Sequence, residues 1–144
     1  MSSPKLSVVI ATYNRCSVLR TTLERLTAQT VSAGDFEVLV VDDGSPDATA
    51  ETVEDTRNRV PFDLRYLKHA NRGPGYTQNR GIREARAELV LLMADDIWAS
   101  PRLLEEHLRS HREAPEPGTG VLGMVRQAPE LPQTVMQKHW DPFR

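Results

Sequence analysis

The stretch L-S-V-V-I-A, residues 6–11, is followed at once by the polar run T-Y-N-R, residues 12–15. The first run is rich in β-branched residues and is typical of a strand that is buried on both faces of a parallel sheet. Leucines then recur at helical spacing within residues 15–29, at Leu19, Leu23 and Leu26. This spacing predicts a helix directly after the strand, which is the repeating unit of a parallel α/β sheet.

The same alternation continues along the chain. Apolar runs predict further strands at residues 36–41, 64–68, 89–93 and 119–125. Helical periodicity predicts a helix opened by Ser45-Pro46, one at residues 76–86, and one opened by Ser100-Pro101 that ends near Arg112. Serine suits the N-cap and proline the first helical position. We therefore predict an α/β fold with a mostly parallel sheet and helices on both faces.

Composition narrows the class of protein. The 144 residues, the size of one domain, carry 18 Lys plus Arg and 20 Asp plus Glu, and the net charge of -2 favours neither nucleic acid nor an anionic membrane as a partner. One cysteine, Cys16, excludes an internal disulfide, and the N-terminus does not read as a signal peptide. No apolar run reaches the ~20 residues of a membrane span. We expect a cytoplasmic protein with no membrane span in this chain.

Polar residues follow each of the first four predicted strands. They are T-Y-N-R at residues 12–15, D-D-G-S at 42–45, H-A-N-R-G at 69–73 and D-D at 95–96. The carboxyl ends of parallel strands meet at one edge of the sheet, where open α/β folds bind their ligands. Crowded carboxylates repel one another, so they require a cation, a cationic side chain or hydrogen-bond donors nearby. The candidates are Arg15, Arg72 and a bound metal ion.

Other ligand-binding schemes fit poorly. No G-x-G-x-x-G follows the first strand, which counts against a dinucleotide-binding dehydrogenase, and no Walker phosphate loop is present. Phospho-acceptor receiver domains carry an acidic pair after the first strand, whereas that strand here ends in T-Y-N-R.

Four blocks of sequence, taken in order, resemble the nucleotide-sugar-binding half of family 2 glycosyltransferases, which have the GT-A fold. They are S-V-V-I-A-T-Y-N-R (7–15), E-V-L-V-V-D-D-G-S (37–45), N-R-G-P-G-Y-T-Q-N-R-G-I (71–82) and L-V-L-L-M-A-D-D-I (89–97). The resemblance covers residues 6–125. It implies transfer of a sugar, with inversion, from a nucleotide-diphosphate donor such as a UDP- or dTDP-sugar to an acceptor hydroxyl, assisted by Mn²⁺ or Mg²⁺.

The resemblance also assigns the nucleoside contacts. Ala11 and Tyr13 would pack against the nucleoside, and Asp43, with Asp42 beside it, would recognise the base. Arg72 lies close to a position where the family has a base-contacting cation. A carboxylate can accept a hydrogen bond from the imide N–H of uracil or thymine, which is consistent with a UDP- or dTDP-sugar donor.

The fourth block supplies the implied metal ligands. We assign Asp96 to the metal ion, and Asp95 to the ribose or to a second metal contact. A hard divalent ion suits both carboxylate and diphosphate oxygens. Many family members have D-x-D-D here, but Met93 replaces the first aspartate. The diphosphate and water would then have to complete the coordination shell.

Two further departures concern the rest of the family's machinery. The usual Ala-Arg-Asn of the third helix is T-Q-N at residues 77–79, which leaves Arg72 or Arg80 to supply the arginine. The general base comes, in the family, from the half that follows the fifth strand, so we expect it outside this chain. We expect residues 1–125 to form the nucleotide-sugar-binding domain and residues 126–144 a proline-containing tail or the start of an acceptor half. An apolar surface near the fifth strand would then be exposed, unless it is covered by a homo-oligomer or by the tail folding back.

Simpler interpretations stand beside these. D-D-G-S at residues 42–45 could be only a turn with a helix cap, and the chain could be a nucleotide-sugar-binding module without catalysis. His107 and His111, at i and i+4, could hold zinc, but no third ligand is evident. We predict that these two histidines lie on a solvated helix face.

Overall fold

The computed structural model describes residues 3–130. Within them, four parallel strands form one sheet in the order β3-β2-β1-β4: β1 (Leu6–Thr12), β2 (Phe36–Asp42), β3 (Asp63–Lys68) and β4 (Leu89–Ala94). Helices alternate with the strands: α1 (Cys16–Arg25), α2 (Thr49–Arg57), α3 (Pro74–Glu84) and α4 (Leu103–Glu113), with short 3-10 helices at Leu26–Ala28 and Ala33–Asp35. The predicted α/β class with a parallel sheet is confirmed.

The core lies on both faces of the sheet. The larger cluster of buried apolar side chains joins β1, β2 and the beginning of β3 to α1 and α4, and includes Leu6, Val8, Ile10, Leu19, Leu23, Val38, Val40 and Leu104. A smaller cluster on the other face contains Val9, Leu39 and Val41, and α3 packs on β1 and β2. Helices on both faces were predicted, and alternate residues of β1 point to alternate faces.

Gly81 permits the close approach of α3 to the sheet. A Cβ atom at this position would lie 2.2 Å from Cγ1 of Val9 and 3.2 Å from Cγ2 of Val41. Both neighbours belong to the core, where close packing leaves little room to move. The absence of a side chain at Gly81 therefore sets the distance between α3 and the two central strands.

Helix α2 begins later than the sequence predicted. Ser45-Pro46 was expected to open it, but the helix begins at Thr49. The Ser45 hydroxyl instead accepts a hydrogen bond from the amide of Asn14, 2.8 Å away, and Asp47 accepts the amide and hydroxyl of Thr49. Residues 45–48 are thus held as a loop by contacts with another loop, which overrides the local capping preference.

Helix α4 also starts later, at Leu103 rather than directly after Ser100-Pro101. The side chain of Gln29, from the end of the first helical segment, accepts the amide of Leu104 at 3.0 Å and donates to the carbonyl of Ser100 at 2.7 Å. A distant side chain therefore does the capping that was expected from Ser100. Helix α3, by contrast, does have proline at its first position, Pro74.

The predicted fifth strand is wrong. Residues 119–125 form no strand, and β4 is an edge of the sheet within the part of the chain that the structure describes. Glycines at positions 118, 120 and 123 lower strand propensity, and Gly118 has a φ of +86°. Leu122 is 97% exposed, and Met124 and Val125 are also largely exposed. These side chains lie where the sequence predicted an uncovered apolar surface.

The predicted division at residue 125 stays a prediction, because residues 131–144 lie outside the described part. Among residues 3–130, no helix has the length and apolar character that crossing a membrane requires. Cys16, the single cysteine of the chain, is a free thiol at the start of α1.

We expect Gly81→Ala to destabilise the protein by ~1–3 kcal/mol, the usual cost of overpacking a core. Its methyl group would collide with Val9 and force α3 away from the sheet. The measurement is the free energy of unfolding in urea. Gly75→Ala is the matched control: it lies in the same helix with nothing within 4 Å of the added Cβ, and should be neutral or stabilising by up to ~1 kcal/mol. Equal stability of the two variants would refute this role of Gly81.

Candidate functional site

A cleft of about 420 Å³ opens at the carboxyl edge of the sheet. Its lining comes from all four sequence blocks: Ala11, Thr12, Tyr13, Arg15, Asp43, Asn71, Gly73, Pro74, Thr77 and Asp95. Of the predicted nucleotide-binding residues, the cleft brings together Ala11, Tyr13, Asp43 and Asp95. Asp42, Arg72 and Asp96 lie outside its lining. The convergence of polar residues at one edge is therefore real, although it involves only part of the predicted set.

The loop after β1 is locked to the loop after β2. Asn14 adopts a left-handed backbone with φ of 53°, and its amide donates to Ser45. The amide of Cys16 donates to the Asp47 carboxylate at 3.0 Å. Burial raises the pKa of Asp47, but the hydrogen bonds from Thr49 and Cys16 outweigh burial and hold the pKa below its ordinary value. These contacts leave Tyr13 at the cleft, partly exposed.

Asp43 ties the loop after β2 to the loop after β3. Its Oδ1 accepts the amide of Arg72 at 2.7 Å, and its Oδ2 accepts the amide of Gly73 at 2.9 Å. A simple turn with a helix cap, the alternative considered for residues 42–45, does not account for these long-range contacts. Gly44 has a φ of +82°, and a Cβ there would lie 3.0 Å from both the amide nitrogen of Asn71 and the carbonyl oxygen of His69. Only glycine suits so close an approach of the two loops.

Asp42 has a different position from its neighbour. Its side chain is fully buried, accepts the amide of Ser45 at 2.8 Å and the hydroxyl of Tyr66 at 2.5 Å, and lies 3.9 Å from Nζ of Lys68. Burial, followed by the hydrogen bond to Asp42, raises the pKa of Tyr66. Asp42 therefore supports the loop from beneath, and its position gives no support to the predicted contact with a nucleotide.

Aromatic and cationic side chains cluster on the β3–α3 side of the cleft. The guanidinium of Arg72 lies over the ring of Tyr76, 5.0 Å from its centroid, and His69 meets the same ring edge-on at 5.0 Å. Arg80 turns elsewhere, because its guanidinium donates to the carbonyl of Lys68 at 2.9 Å. Of the two arginines considered for the family's missing arginine, Arg72 is the one next to the cleft.

Asp95 and Asp96 share one cation, Arg15. Nη1 of Arg15 lies 2.8 Å from Oδ1 of Asp95, and Nη2 lies 3.1 Å from Oδ2 of Asp96. The second oxygen of Asp95 accepts the hydroxyl of Thr12 at 2.8 Å. The side chain of Asp95 is 7% exposed and that of Asp96 is 48% exposed. The pair therefore spans the boundary between the cleft and solvent, and the different roles predicted for the two aspartates stay a prediction.

The residue two positions before the pair contributes no oxygen. Met93 packs in the larger core cluster. No group of three or more His, Cys, Asp or Glu side chains in residues 3–130 is arranged to hold a metal ion. The backbone of Asp95 is nevertheless firmly placed, since its carbonyl accepts the hydroxyl of Thr22 at 2.7 Å.

Several cleft residues were not predicted as ligand contacts. Arg15 was considered only as a balancing cation, and Thr12, Asn71 and Thr77 were not singled out. Thr12 ends β1 and Thr77 lies in the first turn of α3, where its hydroxyl donates to the carbonyl of Gly73 at 2.9 Å. A polar residue at the last position of a buried strand is the signal that could have found Thr12.

A wider groove adjoins the cleft. It encloses about 1090 Å³ and is lined by α1, by residues 96–101 and by residues 124–130. Trp98 lies in it, with the guanidinium of Arg25 4.8 Å from the ring centroid. Asp96 lines this groove whereas Asp95 lines the cleft. The carboxylate pair therefore stands between two spaces.

The prediction of a solvated face for both histidines of α4 is wrong for His107, which is buried. Burial, together with the nearby His111, lowers the pKa of His107. A Cβ on Gly123 would lie 3.4 Å from Nε2 of His107, so the segment after α4 helps to enclose the ring. The ring is thus favoured in its neutral form.

Comparison with known proteins identifies relatives of this arrangement. The model of the family "Glycosyl transferase family 2" matches residues 7–141. Validoxylamine A glucosyltransferase of Streptomyces hygroscopicus subsp. jinggangensis (strain 5008) is 37% identical over 120 residues, which cover 83% of this chain and 28% of that protein.

Solved structures show the same fold. Residues 1–349 of S. aureus TarS in complex with UDP superpose with a TM-score of 0.71 and 29% identity, covering 83% of this chain and 38% of that one. The mannosyltransferase PcManGT from Pyrobaculum calidifontis, in complex with GDP-Man and Mn²⁺, gives a TM-score of 0.72 at 24% identity, covering 83% and 35%, and this likeness shows the fold alone. The chain spans between about a quarter and two fifths of the length of these three proteins.

Burial of His107 predicts a pH-dependent stability. The folded state resists protonation of His107, while the unfolded chain takes up the proton at a pKa of about 6.5, so stability should fall as pH drops through that value. We expect His107→Gln to reduce the loss of unfolding free energy between pH 7.5 and pH 5.5, measured by urea denaturation. His111→Gln is the control on the same helix and should keep most of the loss. An unchanged pH dependence in His107→Gln would contradict the assignment.

Proposed function

The chain belongs to glycosyl transferase family 2, and we propose that it binds a nucleoside diphosphate sugar for transfer of the sugar, with inversion, to an acceptor hydroxyl. The observation that carries this proposal is the single cleft to which all four sequence blocks contribute residues. If the polar residues of a block served only as a turn or a helix cap, they would not need to meet the other three blocks in one cleft. The relative TarS has been solved with UDP bound, which supports a nucleotide ligand.

We assign the nucleoside to the end of the cleft formed by Tyr13 and Asp43. Tyr13 offers a partly exposed aromatic ring, and Ala11 a small side chain beside it. Each carboxylate oxygen of Asp43 accepts one backbone amide, and a carboxylate has about four lone-pair sites. Asp43 can thus hold the loop and still accept the imide N–H of a uracil or thymine ring. Arg72 and Tyr76, stacked beside the same loop, form the adjoining wall.

The diphosphate is assigned to the end of the cleft near Asp95 and Asp96. The guanidinium of Arg15 contacts both carboxylates, so the two lie close enough together to share one cation. A divalent ion such as Mn²⁺ or Mg²⁺ prefers carboxylate oxygens of this kind. Because Met93 is buried in the core, protein oxygens alone would be too few, so ligand and water oxygens would complete the shell. When bound, the ion would neutralise charge on the leaving nucleoside diphosphate.

In the transfer, the bond between the sugar C1 and the diphosphate oxygen breaks while the acceptor oxygen bonds to C1 from the opposite face. The acceptor hydroxyl loses its proton to a general base. Asp43 and Asp95, the carboxylates that line the cleft, are both held by hydrogen-bond donors, which suits a role in binding. Neither of these two carboxylates is therefore assigned as the general base. The groove on the Asp96 side is the natural approach for the acceptor.

The same engagement of the carboxylates favours a second candidate, a nucleotide-sugar-binding module without turnover. The two candidates differ in their products. Incubation with UDP-sugars and analysis of released UDP would favour the enzyme if UDP accumulates. Tight binding without release would favour the module.

Asp43→Ala should weaken UDP binding by on the order of 1–3 kcal/mol, because it removes a charge-assisted hydrogen bond in a buried site. The variant should also discriminate less between bases, so that the ratio of UDP affinity to GDP affinity drops toward one. Calorimetric titration measures both. Asp63→Ala, at the opposite end of the sheet and paired with Arg86, is the control. If selectivity for UDP persists in Asp43→Ala, Asp43 acts only as a latch for the loop.

Metal and nucleotide should bind cooperatively, each raising the affinity of the other by the same factor. UDP titrated with and without Mn²⁺ should show tighter binding with the ion in wild type, and Asp96→Asn should lose most of that gain. The physical reason is that the ion would share oxygens of the protein and the diphosphate. A full metal effect in Asp96→Asn would eliminate Asp96 as a ligand, and the absence of any effect in wild type would eliminate the metal.

A further inference from the structure

Arg15 occupies a position that is unusual for an arginine on the rim of a cleft. Its guanidinium makes two short contacts, one to each of two adjacent carboxylates, at 2.8 Å and 3.1 Å. The fork geometry of the guanidinium suits such bridging, which a single ammonium group cannot reproduce. The carboxylate pair is therefore already neutralised in part by a cation that belongs to the chain.

We propose that Arg15 is an internal counter-ion that competes with the divalent ion for Asp95 and Asp96, and that it leaves the pair when the ion binds. This inference rests on the metal-assisted function proposed above. Two neighbouring carboxylates repel each other, and a buried one is costly without a partner. The contact with Arg15 holds the Asp95 carboxylate in position until the ion arrives.

The surroundings allow the guanidinium to leave without disturbing the carboxylates. The backbone of Arg15 is fixed as the N-cap of α1, and its carbonyl accepts the amide of Leu19 at 3.0 Å. Its side chain, however, is 46% exposed. The Asp95 carboxylate keeps the hydrogen bond from the Thr12 hydroxyl, and its backbone carbonyl keeps the one from the Thr22 hydroxyl. Only the Arg15 side chain therefore has to move.

Competition predicts the direction in which metal affinity changes when the Arg15 side chain is removed. A residue that merely supported the fold would weaken metal binding when removed, because Asp95 and Asp96 would lose their placement. A competing cation has the opposite effect, since its removal leaves two uncompensated carboxylates for the ion. The direction of the change thus separates the two roles.

The test uses Mn²⁺ alone, without nucleotide, at pH 7.5. Binding is followed by the electron paramagnetic resonance signal of free Mn²⁺. We expect Arg15→Gln to bind the ion on the order of tenfold more tightly than wild type, because a like charge next to the site is removed. Arg20→Gln is the matched control: it removes the same charge from the same helix, but Arg20 faces Thr52 of α2 rather than the pair. It should leave Mn²⁺ affinity unchanged.

A second variant covers the case in which Arg15→Gln does not fold. Arg15→Lys keeps the charge but replaces the planar fork by a compact ammonium group, which holds the two carboxylates less well, and it should bind Mn²⁺ with an affinity between those of wild type and Arg15→Gln. In wild type, the side-chain Nε–H signal of Arg15 in a ¹⁵N NMR spectrum should shift on addition of diamagnetic Mg²⁺. The proposal would be overturned if the variants bound Mn²⁺ no more tightly than wild type, or if the Arg15 Nε–H signal did not shift on addition of Mg²⁺.

The outcome for Arg15 can be distinguished from that for the proposed function. Titration of UDP into the wild type tests nucleotide binding independently of the Mn²⁺ measurement. A protein that shows the expected change with Mn²⁺ but does not bind UDP would retain the counter-ion role and lose the proposed function. One that binds UDP, with Mn²⁺ affinity unchanged by Arg15→Gln, would keep the function and lose the counter-ion.

Discussion

The parallel pairing of β1 with both β2 and β4 is the constraint on which the site depends. The register sets Thr12 beside Asp42 and Ala11 beside Ala94, so that β1, β2 and β4 end at nearly the same level. The loops that leave these strands must then lie side by side, whatever their composition. Side-chain contacts join neighbouring loops across this edge, among them Asn14 to Ser45, Asp43 to Arg72, and Arg15 to Asp95. The cleft is a consequence of strand topology, and the side chains at the strand ends determine its chemistry.

Charge at this edge is balanced in two different ways. Asp42 and Asp43 are buried and are compensated mainly by backbone amides and by the hydroxyl of Tyr66, which are fixed donors. Asp95 and Asp96 are compensated by the half-exposed guanidinium of Arg15. Fixed donors suit a rigid wall, whereas a replaceable cation suits an exchangeable ligand. The difference between the two acidic pairs is therefore one of partners, and it assigns the structural role to the first pair more than to the second.

The sequence predicted the strands well because buried parallel strands are nearly continuous apolar runs, and β1, β2 and β4 each match the predicted run to within one residue. It failed where a distant residue decides the local structure. Neither Ser45 nor Ser100 caps a helix: the Ser45 hydroxyl accepts the amide of Asn14, and Gln29 accepts the amide of Leu104 that Ser100 was expected to cap. Residues 119–125 carry apolar side chains, but they also contain Gly120 and Gly123 and have no neighbouring strand in the described part of the chain. The cleft itself was predictable as a location. Which residues line the cleft was harder to predict, because adjacent residues such as Asp42 and Asp43 have different contacts.

Met93, which stands where many family members have an aspartate, affects both the core and the charge at the edge of the sheet. A side chain in the core at that position strengthens the packing of β4 but removes an oxygen from the edge. Two carboxylates with one bridging arginine carry a net charge near -1, so the pair attracts a cation less strongly than a bare pair would. Under the proposed function, such a site would hold a divalent ion weakly by itself, and firmly only together with diphosphate oxygens. The nucleotide sugar would then be the ligand that decides when the metal site forms.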